Sequence, residues 1–252
     1  MKAFSNLRKL ELSLETQGEQ WNQGAKVSGV LKIKNAGTDI ESLDDLKVGI
    51  AYADIKKVHA KTSGCFKVTS SINLPQSSLA ANEQLECPFE FSLDSNTTVT
   101  DKKGSYHLLY GNLDQPFHLQ ISILPQPLFV ELMKLFETFF RFKQKEYKGT
   151  KEGVDFILIP PTAREFVQVE TLTLSPKVAG ENLTLDYTFH LKKIDLVAAS
   201  TGGGNKMTKE AKTMSQNLTP KDYRMGKTHI DQDKLLKLIE SVLTEVKIKP
   251  LR

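Results

Sequence analysis

The sequence predicts a mainly β protein. An immunoglobulin-like antiparallel β-sandwich fills the amino-terminal half, and an α+β unit, or an incomplete second β domain with two helices, follows it. Three observations carry this reading. About seven short segments of the first half alternate apolar and polar residues with period two, and no helical period separates them. Pro125-Gln126-Pro127 then breaks the strand pattern. Beyond it, two segments repeat apolar residues every three or four positions, the signature of helices with one buried face. A length of 252 residues accommodates two domains of ordinary size.

The elements follow in order. Leu10-Glu11-Leu12-Ser13-Leu14 alternates as a strand with one buried face does, and Gln17-Gly18-Glu19-Gln20 ends it. From Lys26 to Lys34, Val27, Leu31 and Ile33 share one parity, while Lys26, Lys32 and Lys34 fall on the other. Asn35-Ala36-Gly37 supplies turn residues. Further strands are expected at Leu46–Tyr52 and Phe66–Val68. In the next strand, Leu85, Cys87, Phe89, Phe91 and Leu93 run in phase, which assigns Cys87 to the core. Ser105–Tyr110 and Phe117–Ile121 flank a turn at Tyr110-Gly111-Asn112 and complete the set. A parallel α/β fold would need crossover helices, and the segment has no room for them.

Within this half, Trp21-Asn22-Gln23-Gly24-Ala25-Lys26-Val27-Ser28-Gly29-Val30 resembles the second strand of arrestin-like proteins, with Asn22-Gln23 where that family has proline before the glycine. Pro88-Phe89-Glu90-Phe91-Ser92-Leu93 resembles the family's Phe-x-Phe strand, and Lys103-Gly104-Ser105-Tyr106-His107-Leu108 resembles the later strand that recrosses the sheet. In order and spacing the three are similar to the amino-terminal domain of the bacterial sporulation-control proteins and of the retromer subunit Vps26, over residues 8 to 124. The resemblance implies an arrestin-like sandwich and a role in regulation, cargo handling or signalling assembly.

The second half is mixed. Residues 128–147 read as a helix, with Phe129, Leu132, Met133, Phe136, Phe139 and Phe140 on one face. Strands are expected at Val154–Ile159, at Phe166–Leu174 and at Leu183–Leu191, where His190 takes the polar phase. From Ala198 to Lys227 the composition turns to Gly, Ser, Thr, Asn and Lys, as in a flexible linker. Gly202-Gly203-Gly204 is no phosphate loop, because no Gly-Lys-Ser/Thr ending follows. Thr228-His229-Ile230-Asp231 can cap a last helix whose stripe is Leu235, Leu238, Ile239, Val242 and Val246. The expected divisions are therefore a sandwich over 1–126, an aromatic helix with a three-stranded antiparallel sheet over 127–200, a basic linker over 201–227, and a docked helix over 228–252.

Charge and chemistry narrow the function. Residues 1–126 hold 13 Lys/Arg and 14 Asp/Glu, whereas residues 201–252 hold 11 and 6. That surplus is thinner than a nucleic-acid footprint, and neither a basic recognition helix nor an aromatic-basic sheet face is present. No apolar run is long enough for a membrane helix, and Met1–Lys9 leads into no signal-peptide core. Cys65 and Cys87 fit neither a disulfide framework nor a zinc pattern, so a cytoplasmic protein is expected. Cys65, after Ser63-Gly64, is the more exposed thiol and has no base set beside it. The five histidines form no HxxH or HExxH motif, although His107 and His118 can meet across a hairpin. Asp44-Asp45, which with Asp54 could be imagined as paired carboxylates, reads instead as an exposed turn before a strand. No Gly-x-Ser-x-Gly elbow or Gly-x-Gly-x-x-Gly loop occurs.

No catalytic, cofactor or metal residues are assigned. The sequence is expected to encode a non-catalytic arrestin-like scaffold or adaptor that binds protein partners. Its contact residues are placed at the edge of the Lys26–Lys34 strand, through Lys26, Lys32 and Lys34, and on the aromatic helix, through Phe129, Phe136 and Phe140. That helix also suits peripheral membrane or lipid contact. The alternative is a small-molecule or lipid carrier with an apolar cavity between helix 128–147 and the second sheet.

Overall fold

A computed structural model describes residues 1–194, 207–226 and 229–247. The chain divides into two compact units, Met1–Leu124 and Pro125–Arg252. The first unit contains β1 (Lys2–Leu7), β2 (Leu10–Thr16), β3 (Gln20–Asn22), β4 (Lys26–Asn35), β5 (Glu41–Ser42), β6 (Leu46–Asp54), α1 (Ile55–His59), β7 (Phe66–Asn73), β8 (Ser78–Leu79), β9 (Gln84–Ser92), β10 (Gly104–Asn112) and β11 (Phe117–Leu124). One sheet has the order β1-β2-β4-β9 and the other β3-β11-β10-β6-β7. The period-two segments explain the sandwich directly. Leu10, Leu12, Leu14, Val27, Leu31 and Ile33 from one sheet share a buried core with Val48, Ile50, Tyr106, Leu108, Tyr110 and Ile121 from the other.

The motif glycine Gly29 lies on the core parity between Val27 and Leu31 and pairs with Phe89 across the ladder. A side chain there would meet the Glu15 carbonyl oxygen and would sit 2.6 Å from the Phe89 ring, so the ring takes the space a Cβ needs. Cys87 is buried, as its phase requires. Two short features were not legible. The opening residues form edge strand β1, and β3 pairs with β11 in parallel within an otherwise antiparallel sandwich. The β10–β11 turn also falls after Asn112, one step later than the glycine suggests.

The second unit contains α2 (Pro127–Thr138), β12 (Lys143–Thr150), β13 (Gly153–Ile159), a single 3-10 turn (Arg164–Phe166), β14 (Val169–Ala179), β15 (Asn182–Ile194), β16 (Met207–Leu218), α3 (Pro220–Tyr223), β17 (Arg224–Met225), β18 (His229–Ile230) and α4 (Gln232–Thr244). Strands β12 to β16 form one antiparallel sheet in chain order. Phe156, Leu158, Leu172, Leu174, Leu185, Tyr187 and Phe189 bury one face, and Thr173, Ser175, Asp186 and Thr188 line the other. Helix α4 begins at Asp231, whose carboxylate accepts from Lys234 N at 3.2 Å. It is tied to β16 by Gln216 Nε2, which donates to Leu238 O at 3.0 Å, and by Lys212 Nζ, which donates to Glu245 O at 2.8 Å.

Three expectations are corrected here. The aromatic helix stops at Thr138 rather than Tyr147, and residues 143–150 form β12. Phe136, Phe139 and Phe140 keep helical spacing across the boundary, so periodicity did not mark the end; a left-handed Arg141 (φ 58°) does. The sheet has five strands, not three. Residues 207–218, expected within the linker, form β16 instead. This edge strand pairs along its whole length with β15, from Leu183↔Leu218 to Ile194↔Met207. An edge strand with one solvated face has little apolar content, which is why it reads as linker. The rest of the expected linker, including Gly202-Gly203-Gly204, and the chain end at 248–252 lie outside the described residues.

Candidate partner-binding groove

The predicted lysine surface is present but already satisfied. Strand β4 is not an edge, since β2 and β9 pair on its two sides, and the edges of this sheet are β1 and β9. Lys26 pairs with Glu90 (2.7 Å), Lys32 with Glu86 (3.4 Å) and Glu15 (3.6 Å), and Lys34 with Glu11 (3.6 Å). Lys2 adds a second bond to Glu15 (2.5 Å). Hydrogen bonding to Glu86 and attraction to Glu15 hold Lys32 above its ordinary pKa, while Lys2 holds Glu15 below its own. Each lysine on this face has a carboxylate from a neighbouring strand, and the ladder neutralises itself.

His107 and His118 do meet. Their Nδ1 atoms lie 3.2 Å apart, and His107 Nε2 is 2.9 Å from Ser105 Oγ. Phe66 sits against both rings, with centroids at 5.2 and 5.1 Å. Burial, reinforced by the neighbouring His118, pushes His107 down to about 4, and burial also lowers His118. Both rings are therefore neutral near pH 7, and one Nδ1–H is shared between them. The order Ser–His–His has the connectivity of a charge-relay triad, but Ser105 is fully buried, so its hydroxyl is closed off from solvent. The arrangement instead satisfies two buried polar groups, Ser105 and His107, with His118 as the outer partner. Among the described residues, no group of three or more His, Cys, Asp or Glu is placed to hold a metal ion. Cys65 is the more exposed thiol and Cys87 the buried one. His190 is partly buried, with Nε2 3.4 Å from Thr173 Oγ1.

The second unit carries a different kind of surface. Phe129 and Phe136, two of the predicted contact residues, are fully buried and belong to the core; a docked helix turns its apolar stripe inward. The third, Phe140, lines a half-open groove of about 870 Å³. One wall is the segment after α2, with Phe139, Phe140, Arg141 and Lys143. A second is Ile159-Pro160-Pro161-Thr162-Ala163 and the following turn, with Glu165 and Phe166. The third comes from α4 and its end, with Leu236, Glu240 and Lys247.

Phe140 and Phe166 line the groove, and the buried rings of Phe136 and Phe142 connect them beneath in a phenylalanine ladder. Phe140 packs on Phe136 (6.0 Å), Phe136 on Phe142 (6.0 Å), and Phe142 edge-on to Phe166 (5.3 Å). Lys247 closes one end, with Nζ 5.4 Å from the Phe166 centroid and 3.4 Å from Glu165. Apolar surface nonetheless stays open at the rim, where Phe139 is 52% exposed and Ile159 41%. Among the described residues, the side chains of Arg141 and Lys143 have no hydrogen-bond or ion-pair partner. The left-handed backbone at Arg141 is closed by Phe142 N donating to Phe136 O at 3.1 Å. Sequence reading missed Arg141, Lys143, the two prolines and the α4 wall. The Arg-x-Lys pair beside three phenylalanines was the available signal.

No helix among the described residues is long and apolar enough to cross a membrane. No family model matches the chain, and no curated protein matches it. Solved structures do. Spo0M, a sporulation control protein from Bacillus subtilis, aligns over 95% of this chain and 100% of its own with a TM-score of 0.64 at 12% identity, a likeness of fold. The Pseudomonas fluorescens alkylpurine DNA glycosylase AlkC, bound to DNA containing an abasic site analog, aligns over 46% of this chain and 30% of its own (TM-score 0.30, 15% identity). A Listeria innocua β-glucosidase in complex with isofagomine covers 46% and 16% (TM-score 0.33, 12% identity). Neither of the last two bears on function at such scores.

Proposed function

We propose that this protein is a non-catalytic, arrestin-like adaptor of the cytoplasm, acting in regulation or trafficking by docking a protein partner in the groove of its second unit. One observation carries the reading: a phenylalanine-lined groove keeps Phe139 and Ile159 open to solvent and leaves the side chains of Arg141 and Lys143 without partners. Apolar anchors surrounded by polar residues mark protein contact surfaces. The fold likeness to a sporulation control protein supports a regulatory setting. Two free thiols suit a reducing compartment.

The test is a photo-crosslinking amino acid placed at Phe139 in the source cells, with Val68 on the first unit as the exposed control position. Protein adducts specific to position 139 are expected. Equal labelling at both positions, or none at 139, rejects the groove as the docking site. A groove of about 870 Å³ also falls within the size range of small-ligand sites, which favours the second reading, a bound small molecule or lipid. Native mass spectrometry of freshly purified protein decides it, because a co-purified mass lost on heating supports that reading and a bare chain rejects it.

A further inference from the structure

The groove has an electrical asymmetry that selects its occupant, and this inference rests on the docking reading above. We infer that it binds a short linear peptide with an aromatic or aliphatic anchor and acidic residues next to that anchor. Lys247 and Glu165 cancel each other across the far end. What remains is Arg141 and Lys143 on the wall after α2, two residues apart and both exposed, with Glu240 on the α4 wall. The two cations stand next to Phe139 in the chain, so a ligand that covers Phe139 brings its neighbouring groups to them.

Carboxylates beside the anchor meet this pair, and Arg141 can hold one with two parallel N–H donors. A basic peptide would set its charges against the same two cations. Glu240 adds a polarity: the acidic side of the peptide faces the Arg141 wall, and its α4 side is neutral or basic. An anionic membrane offers the same charge, but behind the exposed Phe139 the rings of Phe140 and Phe166 lie in a recess, and two carboxylates, Glu165 and Glu240, line it. A peptide side chain reaches such a recess, whereas a flat headgroup layer meets only its rim.

The experiment selects peptides from a phage-displayed random linear library on the full chain and measures one enriched peptide by fluorescence polarisation. The comparison proteins are Phe139→Ala and the double variant Arg141→Glu/Lys143→Glu, each with an unchanged circular dichroism melt. The expected peptides carry Asp or Glu beside Phe, Leu or Trp. Their affinity falls about tenfold or more in the double variant and weakens with added salt in the wild type. Phe139→Ala also lowers it. Peptides that need Phe139 but lack acidic residues, or that bind the double variant equally, overturn the acidic class and leave the docking site standing. Peptides indifferent to Phe139→Ala, or no enrichment, overturn both. Flotation of the wild type, but not the double variant, with phosphatidylcholine–phosphatidylserine vesicles assigns the cations to a membrane and overturns the peptide.

Discussion

The outer face of the first sandwich and the groove of the second unit use similar residues to opposite ends. Both carry lysines near apolar side chains. On the sandwich, Lys26, Lys32 and Lys34 are each matched by glutamates on neighbouring strands. In the groove, Arg141 and Lys143 face solvent unmatched, next to an exposed Phe139. A cross-strand ladder brings complementary side chains about 5 Å apart whenever the sequences alternate in charge, so its lysines are already occupied. A rim built from three separate chain segments has no such register. What separates the two faces is therefore the unmet charge beside apolar area, not the number of charges.

The largest effect that can break this comparison comes from the packing beneath the groove. Phe142→Ala removes a fully buried ring from the ladder and should cost about 3–5 kcal/mol of stability, whereas Phe139→Ala at the rim should stay within about 0.5 kcal/mol. Urea unfolding of the two variants checks it. Equal losses would make the rim part of the core. Next comes the buried His107 of the first unit. With its folded pKa pressed from 6.5 to about 4, His107 binds its proton less readily folded than unfolded. Stability should accordingly fall as the pH drops through that window, by about 2–3 kcal/mol from this residue. His118 acts in the same direction. Comparing urea midpoints of the wild type and His107→Gln across the window isolates the contribution, and identical slopes would refute it.

A smaller change is expected at the motif glycine. Gly29→Ala forces a methyl group into the Phe89 ring and the Glu15 carbonyl, which should cost about 1–3 kcal/mol by thermal melting. Smallest is Lys32→Gln. Its ion pairs lie on a solvated face, so neither the melting temperature nor peptide affinity should move measurably. A loss of affinity there would return the sandwich face to consideration as a contact surface.

The sandwich was legible because a strand with one wet face writes its register into every second residue, and Cys87 and Leu31 sat where phase put them. The motif glycine was visible, though its reason, the Phe89 ring across the ladder, was not. Phe140 alone among the proposed contacts lies in the groove. Phe129 and Phe136 share its helical spacing, but spacing defines a face without saying whether that face looks inward. The α4 wall lies about a hundred residues along the chain from Phe140, a separation that no local pattern spans. Strand β16 escaped because pairing to β15, rather than its own composition, makes it a strand.

The phenylalanine ladder has a consequence for energetics. Its rings come from α2, from the approach to β12 and from the 3-10 turn, and Lys247 caps it just past α4. The rings that an occupant touches, Phe140 and Phe166, thus belong to the same packing that holds four separated segments together. Binding and folding of the second unit are therefore linked by mass action: any occupant that recognises the assembled rings raises the unit's resistance to unfolding, by about 2.7 kcal/mol at a hundred times its dissociation constant. Occupancy can be read as heat resistance, without knowing what the occupant is.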